Sequence, residues 1–156
     1  MYQQFLKASL NMTKDYDTAL AIMRKARRRS KKVYDLLLRS HQSGDARATY
    51  ALATWYLHGT QYTRKSIKRA IELLEEAAAR NVPDALHDLA VSYERGDGVQ
   101  KSPSEAFAFF LRAALLGERQ SIYEVGRMYY HGIGTRKDRR LARIWLDSAK
   151  LFGITG

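Results

Sequence analysis

The 156-residue chain contains no cysteine. That excludes disulfide staples, thiolate metal sites and a cysteine nucleophile, and it suits a reducing compartment. Proline is scarce, with only Pro83 and Pro103 interrupting the chain. No stretch approaches the roughly 18 consecutive apolar residues needed to span a bilayer. The opening MYQQFLKASLNM lacks the basic start, sustained apolar run and small-residue cleavage site of a secretory signal. The expected location is therefore cytoplasmic. Acidic residues are few, 16 against 27 lysines and arginines, for a formal charge of +11.

The basic excess is uneven. Residues 1–44 hold ten lysines and arginines against three aspartates, and most of that excess lies in RKARRRSKK, Arg24 to Lys32. Arg24, Lys25, Arg27, Arg28, Arg29, Lys31 and Lys32 form a basic patch able to neutralise phosphates, so binding there would be steeply salt-dependent. Few aromatics interleave with them for base stacking. A solvated basic face or an acidic protein partner is the first reading of this field and nucleic acid the alternative, with an anionic membrane or a nuclear-import signal behind them.

An internal repeat organises the rest. Ala48 to Gly59, Ala85 to Gly96 and Ser121 to Gly132 each run from a small residue to a glycine eleven positions later. Leu52, Leu89 and Val125 correspond, as do Ala53, Ala90 and Gly126, and Tyr56, Tyr93 and Tyr129. These positions share one face of a helix at 100° per residue. Ser66, Ser102 and Asp138 follow at intervals of 36 residues, each placed to cap a second helix; Ser102-Pro103-Ser104-Glu105 adds a first-turn proline and the glutamate of a capping box. Ala70, Ala106 and Ala142 come next, then Leu73, Phe109 and Trp145, then Ala77, Ala113 and Ala149. Each copy closes on Asn81, Gly117 or Gly153, residue types that accept a left-handed helix end. Gly96-Asp97-Gly98-Val99 and Gly132-Ile133-Gly134-Thr135 predict matching turns, whereas Gly59-Thr60-Gln61-Tyr62-Thr63 has one more residue, lacks the second glycine and predicts a different shape.

The fold expected is all-α, a right-handed α/α superhelix (solenoid) of tandem antiparallel helix pairs. The order small-x3-Leu-small-x2-Tyr-x2-Gly-x-Gly-Val, then Lys-Ser or Lys-Asp, then Ala-x2-aromatic and Ala-Ala resembles the Sel-one-like repeats, relatives of tetratricopeptide repeats. Repeats are expected at 45–81, 82–117 and 118–153. A half-repeat helix precedes them at 31–44, through Val33, Leu36, Ser40 and Gly44. Residues 1–30 form a divergent cap, with Tyr16, Ala19, Leu20 and Met23 striping a helix over 15–29 and a short helix over 2–11. At the other end, a third repeat with no polar capping helix after it would expose Trp145 or Phe152 and favour self-association or a longer native context.

Chemistry is thin. His41, His58, His87 and His131 are the only imidazoles, and the like-placed His58 and His131 would lie about one repeat apart, too far to share an ion. The G-x-G turns follow no strand and lack a full G-x-G-x-x-G or a G-K-[ST] ending. No Ser-His-Asp order, paired inward carboxylates or H-E-x-x-H occurs, so neither catalysis, a cofactor nor a metal is expected.

First helices of α/α repeats commonly line a concave surface. There the pattern places Tyr50, His87 and Tyr123, then Thr54, Val91 and Arg127, then His58, Arg95 and His131, flanked by Trp55, Met128 and Tyr130. Tyrosine, tryptophan and arginine are favoured binding anchors. What the resemblance implies is a non-catalytic adaptor that holds a protein or peptide on this ladder, with acidic groups facing Arg95 and Arg127. Trp55 and Met128 are equally suited to packing against a neighbouring helix.

Overall fold

Most helices begin where a side chain caps the free backbone amides, the exception being the helix after Val82, which has no side-chain cap. The computed structural model describes residues 14–25 and 30–154, and among them the secondary structure is eight helices without a strand. These are α1 (residues 14–25), α2 (Lys31–Gln42), α3 (Ala46–His58), α4 (Ile67–Ala79), α5 (Pro83–Arg95), α6 (Pro103–Leu115), α7 (Arg119–His131) and α8 (Arg139–Leu151). The expected helix over 2–11 and the Arg27–Arg29 part of the basic run lie outside the described residues.

The 36-residue register is written in caps. The Ser66 hydroxyl accepts the Arg69 amide at 3.3 Å, that of Ser102 accepts the Glu105 amide at 3.3 Å, and the Asp138 carboxylate accepts the amides of Arg140 and Leu141 at 2.9 and 3.0 Å. The backbone N–H of each capping residue donates to the repeated tyrosine of the preceding helix: Ser66 to Tyr56 and Ser102 to Tyr93 at 2.9 Å, Asp138 to Tyr129 at 3.0 Å. The Ser102 amide that a capping-box glutamate would accept is thus already used. Asn81, Gly117 and Gly153 all take positive φ, 60°, 87° and 75°. At the two glycines the next amide reaches back to Ala113 or Ala149 at 3.0 or 3.1 Å, the Schellman arrangement.

The turn inside the first repeat does differ. Gly96 and Gly132 are left-handed, and the amides after them, Asp97 and Ile133, close on the carbonyls of Ser92 and Met128 at 3.0 Å. Gly59 instead has φ 72° and ψ 153°. The buried Thr63 hydroxyl takes the amide's place, donating to the Trp55 carbonyl at 3.1 Å, and Thr63 pairs with Thr60 through backbone and side chain. Gly134 has no such latitude, because a Cβ there would lie 1.9 Å from the Pro103 carbonyl oxygen.

Two compact units divide the chain, Met1–Ala77 and Ala78–Gly156. In the first, Val33, Leu37, Leu52, Trp55 and Leu73 form the buried core with Ala19 of α1. Arg47 ties α1 down: it pairs with its own helix cap Asp45 at 2.8 Å and with Asp17 at 3.4 Å, and its guanidinium lies 4.4 Å from the centre of the Tyr16 ring. In the second unit, Ala90, Phe110, Ile122, Val125 and Met128 make one apolar cluster joining α5, α6 and α7, with Trp145 packed on its flank.

The expected sticky end on α8 takes a different form. In α6, Phe107 meets Tyr129 edge-on at 5.1 Å and Ala114 joins the cluster with Ile122, so these positions receive the next helix. Their counterparts in α8 are Arg143 and Lys150, both exposed and both paired with Asp147, at 3.6 and 2.9 Å. Trp145 is half-buried, whereas Phe152 is exposed as expected, with the Arg119 guanidinium 5.5 Å from its ring centre. The stacking positions are polar, and the exposed apolar residues Leu141, Ile144 and Leu151 sit elsewhere on the helix.

Candidate partner-binding face

The first helices carry the ladder residues in different states. On α3, Tyr50 and Thr54 are half-buried and His58 is exposed at the helix end; the Thr54 hydroxyl turns back to the Ala51 carbonyl at 2.8 Å. Trp55 and Met128 are core residues, 2% and 0% exposed. Trp55 stacks on Tyr34 with ring centres 5.8 Å apart, so packing accounts for both residues and neither faces a partner.

In the second unit, side chains brace α5 against α7. The Arg127 guanidinium donates to Glu124 at 2.6 Å and to Glu94 on α5 at 2.5 Å. Burial works against its charge, but the two carboxylates outweigh that and raise its pKa further. Arg127 is therefore already neutralised within the chain. Val91 and Tyr123 lie half-buried against the apolar cluster beside this brace, whereas Arg95 and His131 are exposed, His131 edge-on to Tyr130 at 4.9 Å.

His87 forms a second brace. Its Nδ1 lies 2.9 Å from the Ser121 hydroxyl and 3.1 Å from Glu118 Oε2, and its ring stands edge-on to Phe110 at 5.4 Å. Glu118 caps α7, accepting the amides of Gln120 and Ser121 at 3.1 and 2.6 Å. Burial opposes its charge, yet the hydrogen bonds from His87, Ser121 and Gln120 outweigh it and hold the carboxyl at about 2. Burial likewise opposes a charged His87, and Glu118, helped by Asp88 and Glu124, raises its pKa above 6.5. A serine, histidine and glutamate are thus brought together, but Ser121 and Glu118 both meet the same ring nitrogen and Ser121 is fully buried. A catalytic relay needs the two ring nitrogens on different partners, so this cluster is a brace.

The pair has a pH signature. A raised histidine pKa contributes stability that is complete below the unfolded value near 6.5 and is lost as pH rises through the folded value. A depressed glutamate pKa contributes above 4.5 and is lost as pH falls toward 2. The contribution therefore peaks between about pH 4.5 and 6.5. His87→Gln is expected to lower the melting temperature most at pH 5.5, by the equivalent of about 2 kcal/mol, and to flatten the decline between pH 6 and 8. Melting curves across that range check this.

Glu94, Glu118 and Glu124 are absent from the sequence-derived ladder because partners joined across copies do not share an offset. Arg127 and Glu94 are 33 residues apart, not 36. The i, i+3 spacing of Glu124 and Arg127 was the one legible signal. Of the basic patch, Arg24, Lys25, Lys31 and Lys32 are exposed. Among the described residues, no cluster of histidine and carboxylate side chains could hold a metal ion, and no helix is long and apolar enough to cross a membrane.

Repeated caps, repeated tyrosine carbonyl bonds and helix pairs stacked through apolar clusters define an α/α repeat protein of the solenoid class. The family model of the Sel1 repeat matches residues 46–82, 83–118 and 119–150, and the chain belongs to that family. Sel1 repeats generally mediate protein–protein interaction, and the family is generally a non-catalytic scaffold. The chain is 30% identical to a Sel1 repeat protein from Oxalobacter formigenes of known crystal structure, with a TM-score of 0.71 over 76% of this chain and 90% of that one. A protective antigen of uropathogenic Escherichia coli strains, displaying an SLR fold, matches 98% of this chain and 33% of its own at 23% identity and a TM-score of 0.83, a likeness of fold. Chitin synthase regulatory factors 1 and 2 of Schizosaccharomyces pombe (strain 972 / ATCC 24843) are 29% and 28% identical over 110 and 109 residues. Each alignment covers 69% of this chain but only 24% and 21% of those proteins.

Proposed function

We propose that the chain is a non-catalytic adaptor, acting in the cytoplasm, that holds a protein or peptide on the face of its first helices. The observation that carries this reading is the pair of braces in the second unit. Glu94–Arg127–Glu124 and His87–Glu118–Ser121 fix α5 and α7 before any partner arrives, and prior ordering reduces the entropy lost on binding. Tyr123 and Val91 supply area beside exposed Arg95 and His131, and in the first unit Tyr50, Thr54 and His58 hold the like positions on α3. Because Arg127 is neutralised internally, acidic groups on a partner are drawn to Arg95.

The test is a quantitative pull-down from the source cell with wild-type chain and with Tyr123→Ala combined with Arg95→Glu. Arg127 is left intact, since its loss would unpair Glu94 and Glu124. Capture is expected to fall at least tenfold while the variant stays folded at the assay temperature, although losing the half-buried Tyr123 ring lowers its melting temperature. Undiminished capture by the folded variant excludes this face, and salt-steep oligonucleotide binding through Lys31 and Lys32 would move the reading to nucleic acid.

A further inference from the structure

We infer that the solvent side of α8 docks an acidic amphipathic helix of a partner protein. Leu141, Ile144 and Leu151 stand along one side of α8 and are 38%, 61% and 86% exposed. Packing within the repeats does not require them. The like positions on α6 are Glu105, Ala108 and Leu115, and on α4 they are Arg69, Glu72 and Ala79; all are exposed, and Arg69 pairs with Glu72 at 2.7 Å. α6 receives α7 through Phe107, Phe110 and Ala114 instead. A helix packed on α8 as α7 packs on α6 would therefore leave Leu141, Ile144 and Leu151 in water. Their apolar character serves something outside the array.

The spacing selects a helix as the occupant. Along the axis Leu141 and Ile144 are about 4.5 Å apart and Ile144 and Leu151 about 10.5 Å, steps of three and seven residues at about 1.5 Å each. A helix with its own apolar stripe repeats the same steps, whereas same-face residues of a strand recur about every 6.7 Å. The ridge is about 15 Å long, close to three helical turns.

Charge selects an acidic one. Arg136, Lys137, Arg139 and Arg140 lead into the stripe and are exposed, and among the described residues none of them pairs with a carboxylate. Arg139 leans on the Tyr130 ring, 5.5 Å from its centre. Asp138 is engaged by the amides of Arg140 and Leu141, and no acidic residue follows it in the first turn of α8. At the start of α6 the same positions hold Gln100, Lys101, Pro103 and Ser104, so forming a second helix does not require this charge. Cations here also stand at the helix end that favours anions. Carboxylates on a partner are drawn to this turn, while the net charge of +11 opposes docking of a second copy. Farther along, Arg143 and Lys150 are paired with Asp147, so the acidic end of the partner belongs beside Arg140.

This surface goes beyond the first-helix face and shares no residue with it, so the two readings fail separately. The probe is a fluorescein-labelled helical peptide with leucines at i, i+3, i+7 and i+10 and flanking glutamates. One comparison peptide carries lysines for the glutamates, another serines for the leucines. Binding is followed by anisotropy at low and moderate salt and by the methyl resonances of Leu141, Ile144 and Leu151. Saturable shifts of those methyls are expected with the glutamate peptide, and affinity at least tenfold weaker for both comparison peptides. Two variants borrow residues that α6 already accommodates. Leu141→Glu with Ile144→Ala is expected to leave the chain folded and to weaken the glutamate peptide at least tenfold. Arg136→Gln with Arg140→Ser is expected to weaken it several-fold and to make binding less sensitive to salt. Absent methyl shifts, equal affinity for the lysine peptide, or undiminished binding by either folded variant overturns the proposal. So does a dimer in sedimentation that Leu141→Glu with Ile144→Ala dissolves, which would give this side to a second copy. Tighter binding to phosphatidylserine vesicles than to the peptide would give it to a membrane and overturn the proposal as well.

Discussion

Replacing Gly134 by alanine is expected to destabilise the second unit by on the order of 3 kcal/mol, a fall of roughly 10 °C in melting temperature. Two penalties coincide. Its φ is +66°, where a side chain is strained, and the added Cβ would overlap the Pro103 carbonyl at 1.9 Å. That carbonyl belongs to the first turn of α6 and cannot swing away without disturbing the Ser102 cap. Gly153→Ala is the control. It has φ +75° but nothing within 4 Å, so about 1 kcal/mol is expected from conformation alone. Thermal melting of the two variants separates strain from collision, and equal losses would remove the close approach as the reason for glycine at 134.

Phe110→Ala is expected to cost about 3–5 kcal/mol and to uncouple the third repeat from the second. The ring is 1% exposed, forms one cluster with Ile122, Val125 and Met128 of α7, and supports the His87 ring from the side. In a repeat array stability is close to a sum of unit and nearest-neighbour interface terms. Losing this interface should therefore release α7 and α8 before α5 and α6. Hydrogen exchange resolved by helix is the measurement, with faster exchange in α7 and α8 at a temperature where α5 stays protected. Uniform acceleration through all four helices would mean that the unit unfolds as one.

What the sequence made legible follows from which interactions obey the period. Caps at Ser66, Ser102 and Asp138 and left-handed ends at Asn81, Gly117 and Gly153 recur because each is local to a single helix end, so a shared register exposes them. The altered first turn was legible for the same reason, although the Thr63 hydroxyl that replaces an amide was not. The braces escape a register search because each pairs unlike positions in successive copies: His87 has no histidine counterpart at Tyr50 or Tyr123, and Glu118 corresponds to Val82 and Asp45.

The charged stacking positions of α8 bear on how the protein behaves at high concentration. A repeat array presents unlike surfaces at its two ends, and head-to-tail contacts between such surfaces do not close; they propagate into filaments. Another molecule approaching α8 as a further first helix would have to strip water from Arg143, Lys150 and Asp147 and break their pairing, with no apolar surface gained at those positions. These three side chains thus disfavour packing on α8 in the register that α7 uses on α6, and replacing Arg143 and Lys150 by the phenylalanine and alanine found at Phe107 and Ala114 would remove that penalty.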